Sequence, residues 1–212
     1  MLASLRRPVV LIGVPDNPQG LTCVDLDFAA AGALTVNHLA DLGHRRIALL
    51  GPSPAVYARG TSYAGRFLRG FNEAVTAHGL QAVSHPCAPS YAGVGAYLDQ
   101  TLSTDPSITA IVAHNEAVLG ALLSEVRHRG LDIPRDISVV AVCPDDIAKA
   151  QSVALTSVTI PAAELGALAV DMTVRQLDGP VSAEIRLLSP RLTRRDSTAR
   201  PHSHSVRHYA AE

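Results

Sequence analysis

The chain has 212 residues, of which 47% are hydrophobic and 17% are charged, and its formal net charge is −1. This composition excludes a disordered chain and suffices for one large domain or two lobes with a buried core. The near-zero charge excludes a global basic field, so any contact with DNA would need another segment. Apolar runs are too short to span a membrane. Three cysteines without a CxxC pair favour reduced thiols and a cytoplasmic protein.

Short apolar runs alternate with helical patterns along the chain. In the first half, the pattern predicts strands at 9–14, 23–27, 46–51 and 81–86, and helices at 28–42, 62–78 and 92–103. In the second half, it predicts strands at 108–113, 137–142, 155–160 and 183–188, and helices at 115–129 and 161–178. Strands that alternate with helices across short loops predict an α/β fold with a parallel sheet and right-handed crossovers.

Asp25 and Asp27, at the end of the second predicted strand, allow two interpretations. A DxD after a strand can hold a divalent cation and supply a nucleophile, as in phosphatases of the haloacid dehalogenase type. Those sites normally continue with a small hydroxylated or glycine residue, whereas Phe28 and three alanines follow here. The capping preference of aspartate favours a structural role, with Asp27 starting the helix and Gly43 ending it. The phosphatase stays open as an alternative.

Polar side chains follow several of the predicted strands. Because ligands in parallel-sheet folds lie at the carboxyl ends of strands, these side chains are candidates for a binding site. The candidates are Asp16, Tyr63, Arg66, Asn115, Glu116 and Asp145. Converging carboxylates, an amide and an arginine suit a small polyhydroxylated or otherwise polar ligand. Ordinary roles stay open, because Asn115 can cap a helix and Arg66 can be a solvated helix residue.

Catalytic and cofactor motifs are missing from the sequence. It contains no P-loop, no GxGxxG, no HExxH and no GxSxG, so we predict no catalytic residue and no cofactor. His202, His204 and His208 lie in a segment without periodicity. Its composition predicts a flexible tail over residues 196–212 rather than a metal site.

Four segments together resemble the effector-binding core of the lactose repressor–galactose repressor (LacI/GalR) family of transcriptional regulators. They are VDLDFAAAGALTVNHLADLGHRRIALLGP, FLRGFNEAVTAHGL, TAIVAHNEAVLGALLSEVRHRGLDIPRDISVVAV and LTSVTIPAAELGALAVDMTVRQLDG. The order and spacing match the family from about residue 8 to residue 195, which is nearly the whole chain. The runs GHRRIALLG and GLDIPRDISV are specific in combination.

The resemblance implies a two-lobed fold like that of periplasmic sugar-binding proteins, with the ligand between the lobes. It also implies that the family's N-terminal helix-turn-helix, its hinge and the first βα units of the N-terminal lobe are absent from this chain. The lobe boundaries that follow are a partial N-terminal lobe at 1–30, a near-complete C-terminal lobe at 31–156, a returning N-terminal-lobe helix at 157–180 and a final strand at 181–195.

Two positions depart from the family pattern. The usual arginine three residues before the helix glycine, Gly70, is Phe67 here, with Arg66 one place earlier. The customary G-[FY]-D-[DN] run reads AVCPDD, so that Cys143 falls on the aspartate position by downstream spacing. Asp145 can replace that aspartate only if the loop shifts.

The sequence therefore predicts the effector-sensing core of a bacterial DNA-binding regulator. The expected partners are a sugar-like or nucleoside-like effector, a second copy in a homodimer, and operator DNA through a head that this chain lacks. No contact with a membrane is expected. A stand-alone sugar-binding module is a further alternative, beside the phosphatase.

We expect the chain by itself not to bind operator DNA. Its net charge is −1, and no predicted segment forms a basic recognition helix that would release counterions from DNA phosphates. A mobility-shift assay with the purified chain at physiological salt tests this expectation. Submicromolar, sequence-specific binding would overturn it.

Overall fold

The computed structural model describes residues 7–179 and 182–202. Its strands are β1 (Val10–Ile12), β2 (Thr22–Leu26), β3 (Arg46–Gly51), β4 (Gln81–Pro86), β5 (Ala110–Ala113), β6 (Ser138–Cys143), β7 (Thr156–Thr159), β8 (Ile185–Leu188) and β9 (Leu192–Thr193). Its helices are α1 (Phe28–Leu42), α2 (Pro54–Ala58), α3 (Ser62–Ala77), α4 (Tyr91–Thr104), α5 (Leu119–His128), α6 (Asp145–Lys149) and α7 (Ala162–Leu177).

The predicted strands and helices are all present, with small shifts at their ends. The helix predicted at 115–129 begins instead with a 3-10 turn, Glu116–Val118, before α5. The short elements α2, α6 and β9 were not predicted, because five or fewer residues are too few to show a periodicity. At α1, Asp27 caps the helix as expected, and Gly43 ends it with a φ of 96°.

The strands form two sheets. The larger has the order β4-β3-β5-β6-β7-β9 and the smaller the order β1-β2-β8. Both confirm the predicted parallel α/β fold, with one difference at the edge of the larger sheet. There β9 pairs with β7 in the antiparallel direction, and its two residues are too short for the sequence to reveal it.

Helices cover both faces of the larger sheet, because successive side chains of a strand point to opposite faces. Ile47 and Leu49 of β3 pack with the buried side chains of α1 and α3. Ala48 and Leu50 of the same strand pack with those of α4 and α5. This two-sided burial makes the strands continuous apolar runs and leaves only their ends open to polar ligands.

The smaller sheet is covered differently. Buried residues of α7, including Leu165 and Met172, pack against Val24 of β2 on one face. Ile185 and Leu187 of β8 belong to the other face and are 46% and 45% exposed. The boundaries proposed for the lobes stay predictions. No helix among the described residues is long and apolar enough to cross a membrane.

The tail predicted at 196–212 starts too early, because residues 195–199 belong to the packed structure. Ser197 is fully buried; its Oγ donates to the Val139 carbonyl at 2.6 Å and accepts from the Thr156 N–H at 2.8 Å. The segment is polar because it supplies hydrogen-bond partners to the beginnings of β6 and β7, and that polarity resembles a solvated tail in sequence. His204 and His208 lie outside the described residues.

Two glycines bring α1 and α3 into close contact. A Cβ added at Gly70 would overlap the carbonyl oxygen of Ala29, and a Cβ added at Gly32 would overlap that of Phe67. Both positions therefore need glycine for the helices to lie at this separation. The contact fixes the first turns of both helices at the same edge of the larger sheet.

Replacing Gly70 with alanine is expected to lower the free energy of unfolding by about 1–3 kcal/mol, because the methyl group must push α1 and α3 apart. Gly65→Ala in the same helix is the matched control, since nothing lies within 4 Å of its Cβ position. That change should be neutral or stabilising, because alanine favours helices over glycine by about 1 kcal/mol. Urea unfolding followed by circular dichroism measures both, and equal effects would contradict the proposed contact.

Candidate functional site

A cleft of about 440 Å³ opens at the carboxyl ends of the parallel strands. Its lining consists of Phe28, Pro52, Ser53, Val56, Tyr63, Pro89, His114, Asn115, Glu116, Ala117, Val142 and Ile160. Most of these residues lie within three residues of the end of a strand, namely β2, β3, β4, β5, β6 or β7. Parallel-sheet folds hold ligands in this position, and the volume suits a small molecule.

Aromatic rings form one side of the cleft. The ring centroids of Phe28 and Tyr63 are 5.2 Å apart, and Tyr63 meets His114 edge-on at 5.5 Å. Behind them, the ring of Phe67 lies 4.0 Å from that of His114. Burial lowers the pKa of His114 to about 3, so the imidazole is neutral at pH 7. The rings therefore form an uncharged and largely buried side of the cleft.

Asn115 and Glu116 supply polar groups beside the rings. The Asn115 Nδ2 donates to the Cys87 carbonyl at 3.2 Å, and its side chain makes no cap hydrogen bond. The capping role considered for Asn115 is therefore not observed, and the side chain instead connects β5 to the loop after β4. Glu116 is exposed and lines the cleft. Both residues and Tyr63 are predicted candidates that the structure brings together.

Arg66 lies outside the lining. Its guanidinium forms an ion pair with Asp25 of β2 and stands 5.6 Å from the centroid of the Phe28 ring. The one-residue shift noted in the sequence explains this position. Phe67 occupies the place where the family pattern has arginine, and it stacks on His114. Arg66 therefore connects α3 to the smaller sheet.

Asp145 and Asp16 also lie outside the lining. Asp145 pairs with Lys149 at 2.6 Å and with Arg195, and the Lys149 hydrogen bond lowers the pKa of Asp145. The loop shift that would bring Asp145 into the cleft does not occur, because these cations hold it at the start of α6. Cys143, on the family's aspartate position, is buried, and burial raises its pKa to about 12. Asp16 is exposed on the loop after β1.

The aspartate pair that suggested a phosphatase is engaged in structural contacts. Asp25 accepts from the Leu26 N–H at 2.9 Å as well as pairing with Arg66. Asp27 accepts from the Ala30 N–H at 3.0 Å as the cap of α1. The described residues contain no group of His, Cys, Asp and Glu side chains that could hold a metal ion. The phosphatase alternative is not supported.

Most of the apolar lining was not predicted from the sequence. His114 directly follows the predicted strand 108–113 and could have been selected by the same rule that selected Asn115. Phe28 and Ile160 likewise follow strands. Val56 and Pro89 come from the segments after β3 and β4, and no spacing in the sequence indicates that they reach the cleft.

Residues 36–198 match the family described as periplasmic binding protein-like domain. The arabinose metabolism transcriptional repressor of Geobacillus stearothermophilus is 29% identical over 191 residues, which cover 84% of this chain and 49% of the repressor. The chain thus spans about half the length of the curated relatives it matches.

Solved structures resemble the chain as well. A LacI transcriptional regulator from a Rhodococcus species has a TM-score of 0.79 at 28% identity, covering 91% of this chain and 70% of that one. A LacI family regulator from Enterococcus faecium, solved with bound ribose, has a TM-score of 0.79 at 23% identity, covering 92% of this chain and 71% of that one. The second likeness concerns the fold alone.

Acidification is expected to destabilise the fold through two buried imidazoles. Burial lowers the pKa of His114 to about 3 and that of His44 to about 4, whereas an unfolded histidine titrates near 6.5. The folded state therefore binds fewer protons than the unfolded state, and the free energy of unfolding falls as the pH drops from about 6.5 towards 4. Urea unfolding at a series of pH values measures this slope.

His114→Phe keeps a ring at the site and removes one titrating group. Its unfolding free energy should depend on pH less steeply than that of the wild type, by on the order of 1 kcal/mol per pH unit below 6.5. Gly65→Ala neither adds nor removes a titrating group, so it should keep the wild-type slope. If His114→Phe kept the wild-type slope, that result would contradict the lowered pKa of His114.

Proposed function

Because the chain belongs to the LacI family through its periplasmic binding protein-like domain, we propose that it is the effector-binding core of a transcriptional regulator. The proposed effector is a small polar molecule of the sugar or nucleoside class. The observation that carries this proposal is the cleft at the strand ends, where Phe28 and Tyr63 face a ligand beside the polar groups of Asn115 and Glu116.

The chemistry of the lining supports such an effector. A carboxylate such as Glu116 accepts hydrogen bonds from two neighbouring hydroxyl groups, and these charge-assisted bonds are stronger than neutral ones. Aromatic rings cover the apolar C–H face of a sugar or the plane of a base. The names of two similar proteins, an arabinose repressor and a regulator with bound ribose, point to the same class of ligand.

The proposed mechanism is a shift between conformations rather than catalysis. Arg66 connects α3 to Asp25 of the smaller sheet, and Ser62 at the start of the same helix donates to the Val14 carbonyl. A ligand beside these contacts would favour one arrangement of the two sheets, by no more than its difference in affinity for the two arrangements. In a homodimer this bias would change the spacing of two DNA-binding heads.

Replacing Glu116 with glutamine is expected to weaken effector binding by roughly 10- to 150-fold, because the loss of a charge-assisted hydrogen bond costs about 1.5–3 kcal/mol. The probes are D-ribose, D-arabinose, adenosine and cytidine, screened by thermal shift and measured by titration calorimetry. Asp16→Asn is the matched control, since this carboxylate lies outside the lining, and it should bind as the wild type does.

Two outcomes of this experiment count against the proposal. If a probe binds and Glu116→Gln leaves its affinity unchanged in a folded protein, the residue is not part of the binding site. If no probe stabilises or binds the folded wild-type chain, the effector-binding function itself loses its support.

A further inference from the structure

We propose that the cleft selects an uncharged nucleoside over a free monosaccharide and over any phosphorylated ligand. This inference rests on the proposed function and specifies the ligand of the same site. Three features of the lining carry it: the placement of its polar groups, its pair of aromatic rings, and its charge.

The polar groups of the lining are few and grouped together. Ser53 follows β3, while His114, Asn115 and Glu116 are consecutive after the neighbouring strand β5. Apart from the Tyr63 hydroxyl, Pro, Val, Ile, Ala and aromatic side chains form the rest. A monosaccharide carries hydroxyl groups all around its ring, and those facing the apolar part would lose water without gaining a partner. The cleft therefore fits a ligand with one hydroxylated part and one flat, weakly polar part.

Two aromatic rings of the lining, the buried Phe28 and the half-buried Tyr63, fit the flat part. Phe28 and Tyr63 both line the cleft, with centroids 5.2 Å apart and planes tilted by 43°. Such a pair gives a base a ring face on which to stack and a second ring to contact at its edge. The ribose of the same nucleoside would then reach Glu116, whose carboxylate accepts from its two hydroxyl groups.

The charge of the lining excludes a phosphate. Glu116 is its anionic side chain, and among the described residues the lining includes no lysine or arginine. Arg66 stands near Phe28 but is paired with Asp25. Burial raises the pKa of Tyr63, and the nearby Arg59 opposes that shift, but Arg59 is exposed to solvent. Water screens such an exposed charge, so Arg59 gives a bound phosphate little stabilisation.

Titration calorimetry on the full chain compares three kinds of probe. These are the nucleosides adenosine, guanosine, cytidine and uridine, the free sugar D-ribose, and the 5′-monophosphate of the tightest nucleoside. Stacking of a base on an aromatic ring is worth about tenfold in affinity, so the tightest nucleoside should bind about tenfold more strongly than ribose. The monophosphate should bind about tenfold more weakly than its nucleoside, because no cation offsets repulsion by Glu116.

Variants of Tyr63 test the ring itself. Tyr63→Leu should weaken nucleoside binding about tenfold, whereas Tyr63→Phe should keep it within about threefold, since the ring remains. Tyr91→Leu is the control, because Tyr91 is 62% exposed at the start of α4 and lies outside the lining. Circular dichroism and the melting temperature of each variant separate a lost contact from a lost fold.

The outcomes distinguish this inference from the function on which it rests. Ribose or the monophosphate binding as tightly as every nucleoside overturns the inference and leaves the effector-binding function intact. Nucleoside binding that survives Tyr63→Leu also overturns it. If no nucleoside, sugar or monophosphate binds the folded chain, both fail together.

Discussion

The approach of α1 to α3 through Gly32 and Gly70 is the constraint on which the site depends. Glycine at both positions lets backbone meet backbone, so the first turns of the two helices end side by side above the strand ends. Phe28 begins one helix and Tyr63 lies in the first turn of the other. Their rings can therefore converge on His114 after β5. A wider separation of the helices would open the aromatic side of the cleft and remove the support behind it.

The position of each residue around helix α3 then decides which of its side chains face the cleft. Moving an arginine by one residue turns its side chain by about 100° around a helix. In α3 this rotation points Arg66 at Asp25 and places Phe67 against His114. Arg66 joins α3 to the smaller sheet, and a buried aromatic ring stands where the family pattern has arginine. The ion pair thereby becomes part of the structure that a ligand would have to act upon.

Sequence alone predicted the parts of this molecule that periodicity controls. The apolar runs of β3, β5 and β6 identified buried parallel strands, and their ends pointed to Asn115 and Glu116. Contacts between residues far apart in the chain could not be predicted from the sequence. The contact of Ser197 with Val139 and Thr156 joins residues that no local pattern relates, so a packed segment resembled a tail. Asp145 was selected because it follows a strand, yet Arg195, fifty residues later, holds it away from the cleft.

The pairing of β2 with β8 has a consequence for the order in which the chain folds. Cys23 lies opposite Ile185, so the smaller sheet closes a loop that contains the whole larger sheet up to β7. Strands of the larger sheet are joined instead through local βα units, whose closure costs less chain entropy. We therefore expect the larger sheet to form first and to bring β2 and β8 together for the smaller sheet. By the same reasoning the smaller sheet opens first under stress, and its amide hydrogens should exchange with solvent before those of β3 and β5.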